Sequence, residues 1–206
     1  MLQGRKAIVP QYHYEGLLRS MPDLAHRQRH SSRGQSLVEF ALVVPVLLLL
    51  LMAILQIGLL LTTQVGLTNA AREAARNASS IPVSTTAEAA TAAATYYTRL
   101  TDATNGFLKR NVTGYSPSRL VTSGAPRTLV CYYSITDASG APAVMARVEV
   151  EYSHVLFLPL IGPLLDGADG TMDGGLRMGA SEDIRVGNTV LSSTNIGDIG
   201  SPTCNP

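Results

Sequence analysis

An uninterrupted apolar stretch constrains this chain more than any other feature of its sequence. Phe40 to Leu61 covers 22 residues, carries no charge and contains Gln56 as its one fully polar side chain. At about 1.5 Å of helical rise per residue the stretch spans roughly 33 Å, enough to cross a hydrocarbon core of about 30 Å. A helix buried in a soluble domain rarely finds apolar partners on every side, and a secretory signal has an apolar region of only about 7–15 residues. The stretch therefore predicts a transmembrane helix.

The charges that flank the apolar stretch predict its orientation. Basic residues dominate the segment before it, opposed only by Glu15 and Asp23; they are Arg5, Lys6, Arg19, Arg27, Arg29 and Arg33. An excess of Lys and Arg marks the cytoplasmic side, so the N-terminus is expected to stay inside and residues from about 62 onward to be exported. The whole chain is nearly neutral, with 16 basic and 15 acidic residues. The basic cluster is thus interpreted as a topology signal, and no nucleic-acid partner is expected.

Beyond the membrane the sequence predicts more helix. One continuous helix is expected from about Ser36 to Ala78, because Thr68–Arg76 is rich in strong helix formers and nothing breaks it before Ser79-Ser80-Ile81-Pro82. An alanine-rich segment, Ser84 to Leu100, predicts a second helix. Ser84 or Thr85 is its expected cap, with Glu88 in the first turn.

The second half of the chain has the pattern of β-structure. Strands are predicted at Thr128–Ile135, at Val144–Tyr152 and at Leu176–Val186, with a hairpin turn at Asp137–Gly140 between the first two. Alternation at period two predicts that Arg147, Glu149 and Glu151 face solvent. The side chains expected to face the helix are Val144, Ala146, Val148, Val150 and Tyr152. The fold class is therefore α+β: a long N-terminal transmembrane helix that continues into a small exported domain with a second helix and an antiparallel sheet.

These elements predict four regions along the chain. Residues 1–34 form a basic cytoplasmic leader, and residues 35–61 hold the transmembrane helix. Residues 62–191 form the exported α+β domain, and residues 192–206 a flexible C-terminal tail.

A lone acidic residue, Glu39, stands where the apolar stretch begins. A charge at the bilayer edge costs free energy, and a residue kept there against that cost is a functional candidate. Gly34, the last residue of the basic leader, lies five positions before it. An ordinary membrane anchor needs neither feature.

The motifs of this junction resemble those of the TadE-like family of pseudopilins from tight-adherence (Flp-type) pilus systems. The matching pieces are Arg33-Gly34, the Val-Glu-Phe-Ala-Leu run at Val38–Leu42, Pro45, and the Asn-Ala-Ala-Arg-Glu-Ala-Ala-Arg helix at Asn69–Arg76. The likeness covers about residues 33 to 78. The long leader and the tail beyond Val186 depart from the usual pattern of the family.

The resemblance implies a function and a set of site residues. A prepilin peptidase would cut between Gly34 and Gln35, and a glycine offers that enzyme an unhindered backbone. Glu39, with Phe40 beside it, would then pair with the new α-ammonium of its own or a neighbouring chain during assembly. The implied partners are the membrane, the peptidase, other pilin-like subunits and pilus assembly proteins, at the cytoplasmic (inner) membrane. The alternative is an uncleaved single-pass anchor that displays a small extracytoplasmic binding domain.

Signals for catalysis, metals or cofactors are weak. His13, His26 and His30 lie in the leader without ligand spacing, and His154 stands alone. The acidic residues of the DGADGTMDGG stretch, Asp166, Asp169 and Asp173, do not have the spacing of an EF-hand calcium loop. We therefore expect no enzyme activity, no metal and no cofactor.

Two cysteines, Cys131 and Cys204, both fall on the predicted exported side. Exported compartments are oxidising, which favours a disulfide between them. Such a bond would tie the C-terminal tail to the first strand. The other possibility is a pair of free thiols, one in a strand and one in the tail, because the sequence says nothing about their distance.

Overall fold

The computed structural model of the protein describes residues 32–136, 138–157, 162–163, 167, 170, 174–187 and 202–205. They form a long apolar helix, a second helix and a four-stranded antiparallel sheet, so the predicted α+β class is confirmed. Contacts divide the chain into two units, one ending at Leu50 and one beginning at Leu51. Each unit is described by itself.

Helix α1 runs from Ser32–Ala78 and contains Pro45. It begins four residues before the predicted start at Ser36, since the residues from Ser32 onward include no helix breaker other than Gly34. Its end at Ala78 is as predicted. There the amide of Ser79 still donates to the carbonyl of Ala75 at 2.8 Å, and the Ser79 hydroxyl donates to the carbonyl of Arg76 at 2.9 Å.

Helix α2, Thr86–Thr101, begins with a capping box. The Thr85 hydroxyl accepts a hydrogen bond from the amide of Glu88, and the Glu88 carboxylate accepts one from the amide of Thr85. Reciprocal bonds of this kind satisfy two amides that the first helical turn leaves without partners. Of the two caps expected from the sequence, the structure uses Thr85.

A short helix, α3 at Phe107–Asn111, follows Gly106 and was not predicted. Five residues are too few to show a helical period in a sequence. A 3-10 turn at Pro117–Arg119 follows α3 in the chain.

The sheet has the order β3-β2-β1-β4, with every neighbouring pair antiparallel. Its strands are β1 Leu129–Thr136, β2 Pro142–Val155, β3 Gly175–Arg185 and β4 Thr203–Cys204. The three long strands match the predicted ones within a few residues. The two-residue β4 lies in the segment that was predicted to be a flexible tail, and it pairs with Cys131 and Tyr132.

One face of β2 supplies much of the core. The five side chains predicted to point inward are buried, namely Val144, Ala146, Val148, Val150 and Tyr152. On the other face Arg147 is exposed as predicted, but Glu149 and Glu151 are half-buried rather than fully solvated. Both positions pair with β3, where Ser181 lies opposite Glu149 and Gly179 lies opposite Glu151.

The second half of α1 contributes an alanine-rich stripe to the same core. Its members are Leu67, Ala70, Ala71, Ala74, Ala75 and Ala78, all at most 1% exposed. Small side chains allow close approach between elements, and the Tyr132 hydroxyl reaches across to donate to the carbonyl of Ala78 at 2.9 Å. Burial raises the pKa of Tyr132, so this hydroxyl stays protonated as a donor.

Candidate functional site

The processing motif predicted from the sequence lies in the first turns of α1. The side chains of Gln35, Glu39 and Phe40 are all exposed, and Phe40 exposes 67% of its surface. The Gln35 side-chain amide donates a hydrogen bond of 3.1 Å to a carboxylate oxygen of Glu39. Residues four apart share one face of a helix, so Gln35 and Glu39 form one exposed polar patch at the start of the apolar stretch.

Gly34 packs against none of the described residues. A Cβ built there would meet no atom of that part of the chain within 4 Å. The structure places this glycine in the first turn of α1. Glycine is about 1 kcal/mol less favourable than alanine within a helix, so this first turn is easily opened.

The leader lies outside the described residues. So do its histidines, His13, His26 and His30.

The apolar stretch of α1 presents its side chains to the surroundings. The helix is long and apolar enough to cross a membrane, with a mean hydropathy of 2.9 in its most apolar window. Its exposed apolar side chains include Leu42, Val46, Leu50, Ile54, Ile57 and Leu61. A surface of this kind is stable against lipid or against other apolar helices, and it is poorly compatible with water.

The Asn69–Arg76 segment has a structural role that the sequence did not indicate. Glu73 accepts a hydrogen bond from Arg110 at 2.7 Å and another from Asn111 at 2.9 Å, so it holds α3 against α1. On another side of the helix, Nε of Arg72 lies 3.6 Å from the carboxylate oxygen Oε2 of Glu182 on β3. Glu73 of the motif therefore links α1 to α3, and Arg72 forms an exposed ion pair with β3. No signal in the sequence indicated either contact, because the partners are distant in the chain.

Close approach of the backbones explains a glycine in the same helix. At Gly66 a Cβ would meet the carbonyl oxygen of Asn111, with the carbonyl carbon of Asn111 at 3.1 Å and the Cα of Val112 at 3.2 Å. All three are backbone atoms, which cannot rotate away as a side chain can. Gly66 thus sets the distance between α1 and the end of α3.

A set of polar contacts joins α1 to β2 and β3 near the end of the apolar stretch. The Thr63 hydroxyl lies 3.2 Å from Nδ1 of His154, and the Gln64 amide donates to the carbonyl of Gly179 at 2.9 Å. His154 is thus part of β2 and half-buried, not a lone surface residue. Burial, and secondarily the charge of Arg119, lower the pKa of His154.

The structure joins Cys131 to Cys204 by a disulfide bond. Their Cα atoms lie 4.0 Å apart on the paired strands β1 and β4, and the two positions are 73 residues apart in the chain. A second contact supports the same pairing, because the side chain of Asn205 accepts a hydrogen bond of 2.7 Å from the amide of Val130. Residues 202–205 are therefore held against β1 by the disulfide bond at Cys204 and by the hydrogen bond at Asn205.

Within the described residues, no group of three or more His, Cys, Asp or Glu is arranged to hold a metal ion. The acidic residues of the glycine-rich stretch, Asp166, Asp169 and Asp173, lie outside the described part of the chain.

Comparison with known proteins identifies the N-terminal segment. Residues 34–76 match the family model described as TadE-like protein. The match begins at Gly34, includes Glu39 and the apolar stretch, and ends at Arg76, so the resemblance found in the sequence is confirmed over this segment. No curated protein and no solved structure matches the chain.

Proposed function

Because residues 34–76 form a TadE-like membrane segment, we propose that the protein is a pseudopilin-like subunit that takes part in assembling tight-adherence (Flp-type IVb) pili. The observation that carries the proposal is the family match to a helix whose first turns expose Gly34, Gln35 and Glu39 together. In this proposal the N-terminus faces the cytoplasm, α1 crosses the inner membrane, and the sheet domain lies on the extracytoplasmic side.

The proposed maturation step is hydrolysis of the Gly34–Gln35 peptide bond by a prepilin peptidase. Water adds across the bond, leaving a carboxylate on the leader and an α-ammonium on Gln35. Opening of the first helical turn would expose this bond, and none of the described residues lies within 4 Å of a Cβ at Gly34, which leaves room for the peptidase. The new ammonium would lie one helical turn before Glu39.

The proposed mode of action is packing and contact, without enzymatic chemistry. The exposed apolar side chains of α1 would pack against other pilin-like helices in the membrane. A carboxylate removed from water loses hydration, and an ammonium placed beside it restores much of the lost stabilisation. Glu39 would therefore favour the helix register in which its carboxylate meets an α-ammonium.

Substitution of Gly34 tests the maturation step directly. We expect Gly34→Ala to slow cleavage and Gly34→Leu to block it, because the scissile backbone loses its free space. The Cβ that either change adds meets no atom of the described residues within 4 Å. Intact-mass and N-terminal peptide analysis of the membrane fraction measures the product, which should begin at Gln35 in the wild type.

Gly58→Leu is the matched control, because Gly58 lies in the same helix and also has no atom within 4 Å of a built Cβ. It should be cleaved like the wild type. A wild-type chain that still begins at Met1 in cells with an active prepilin peptidase would contradict the proposal. That result would favour the uncleaved anchor with an extracytoplasmic binding domain.

A further inference from the structure

Strand β2 ends beside the last apolar turns of α1, at Gln56. The Gln56 side-chain nitrogen donates to the carbonyl of Val155 at 3.4 Å, and the amide of Phe157 donates to the Gln56 side-chain oxygen at 3.3 Å. Gln56 is only 1% exposed. Gln56 is the one fully polar side chain in the apolar stretch, and the backbone binds both of its polar atoms: the last residue of β2 binds one and the second residue after the strand binds the other.

The level of this contact lies within the apolar part of α1. Leu61, the last residue of the apolar stretch, comes five positions after Gln56. At about 1.5 Å per residue, Gln56 is roughly 7 Å below the end of the stretch. Over this distance Ile57, Leu59 and the terminal Leu61 each expose about half of their surface or more. If these side chains face lipid, the end of β2 reaches the same depth.

Polar groups of α1 in this region are bonded within the protein, as a low-dielectric surrounding requires. Besides Gln56, the polar side chains up to residue 64 are Thr62, Thr63 and Gln64. The Thr62 hydroxyl donates to the carbonyl of Gly58 at 2.8 Å, Thr63 contacts His154, and Gln64 donates to Gly179. Each of these side chains therefore keeps a hydrogen-bond partner within the protein when this part of α1 is removed from water.

The side chains at the end of β2 suit a lipid surface. Val155 and Phe157 expose 40% and 47% of their surfaces although they are apolar. Arg119 and Arg177 line the groove that also includes Val155. Apolar and aromatic side chains favour the boundary between acyl chains and headgroups, and arginine forms well-directed hydrogen bonds to phosphate.

We propose that the segment Val155–Phe157 is a second membrane contact of this protein, seated in the lipid interface beside the exit of α1. Gln56 fixes the depth of this segment, because its side chain binds the backbone of both Val155 and Phe157. The domain would then lie against the bilayer surface with the arginines at the level of lipid phosphates. This inference requires that α1 spans the membrane and is independent of pilus assembly or processing.

The chain contains no tryptophan, so a single introduced indole reports its own depth. The indole is introduced by Phe157→Trp in the full-length protein, which is reconstituted in vesicles of phosphatidylcholine and phosphatidylglycerol. Two vesicle preparations are compared, one with ordinary lipids and one with lipids brominated near the top of the acyl chains. Ile135→Trp is the matched control. Ile135 is similarly exposed, at 37%. It lies on β1 and pairs with Ala143 near the start of β2, so it is at the end of the sheet opposite to Val155.

The expected result is a blue-shifted emission for Phe157→Trp that brominated lipid largely quenches, and an emission for Ile135→Trp that it leaves nearly unchanged. Val155→Trp should behave like Phe157→Trp and serves if the first variant is poorly folded. Equal quenching at positions 157 and 135 would overturn the inference, as would an indole at 157 that is shielded from aqueous quencher but not quenched by lipid. Flotation with the vesicles separately verifies the α1 anchor.

Discussion

The side-chain amide of Gln35 donates a 3.1 Å hydrogen bond to the carboxylate of Glu39, one turn further along α1. Both side chains are exposed, so the bond contributes little to stability. It does show that the Glu39 carboxylate reaches back toward residue 35. After cleavage at Gly34, the α-ammonium of Gln35 would be available to the same carboxylate.

Glu39→Gln should separate assembly from membrane insertion. The variant keeps the shape of the side chain and lowers the cost of membrane burial, so insertion and cleavage should be normal. An uncompensated ammonium costs roughly 3–5 kcal/mol, which weakens association with pilus partners by at least about a hundredfold. Co-purification of the partners and pilus output measure the effect.

Gln35→Ala is the control for this prediction, because it removes the side-chain amide and leaves the α-amino group. We expect it to assemble normally. Normal pilus output from Glu39→Gln at native expression would rule out the pairing, and loss of assembly in Gln35→Ala alone would assign the role to the amide.

The disulfide between Cys131 and Cys204 predicts an absence of free thiols in protein isolated from the exported compartment. Alkylation before and after reduction, followed by mass analysis, measures this. Closing a loop of 73 residues stabilises by roughly 4 kcal/mol in the chain-entropy account, so reduction should lower the unfolding temperature clearly. Full labelling of both cysteines without reductant would contradict the bond.

Gly66→Ala should destabilise the domain by roughly 1–3 kcal/mol, because the added Cβ overlaps backbone atoms of α3 and must displace it. Gly58→Ala is the control, since its Cβ meets nothing within 4 Å. Thermal unfolding in detergent compares the two variants. An unfolding temperature for Gly66→Ala equal to that of Gly58→Ala would show that α3 adjusts without cost.

His154 should make stability depend on pH in the acidic range. Its pKa is lowered in the folded state from 6.5, so the unfolded state binds the extra proton first and stability falls as pH drops below about 6.5. His154 is only partly buried, so we expect the loss between pH 7 and pH 5 to remain below about 1 kcal/mol. His154→Gln should reduce this dependence; an unchanged pH profile would assign it to other groups.

Local signals in the sequence were sufficient for several elements. The span of α1 follows from a long uncharged stretch and its breaker at Ser79–Pro82, and Thr85 with Glu88 is a recognisable capping pair. Alternation along β2 indicated its buried face. In each case neighbouring residues in the chain carry the information, because helical and strand periods are local properties.

Other features depend on residues that are distant in the sequence. α3, β4 and the partners of Glu73 had no recognisable pattern, since each is stabilised by contacts with another part of the chain. Gln56 was visible as the one fully polar side chain of the apolar stretch, but its partners at Val155 and Phe157 lie about a hundred residues away.

The sequence by itself determined the membrane helix, the TadE-like motif with Gly34 and Glu39, and the α+β class. The tertiary structure decided that α3 packs against α1 at Glu73 and Gly66, and that residues 203–204 form a strand paired with β1. It also decided that β2 ends at the level of Gln56. The physical reason is the range of the interactions. Periodicity and hydrophobicity act between near neighbours, whereas a hydrogen bond to a distant backbone exists only after the chain has brought both partners together.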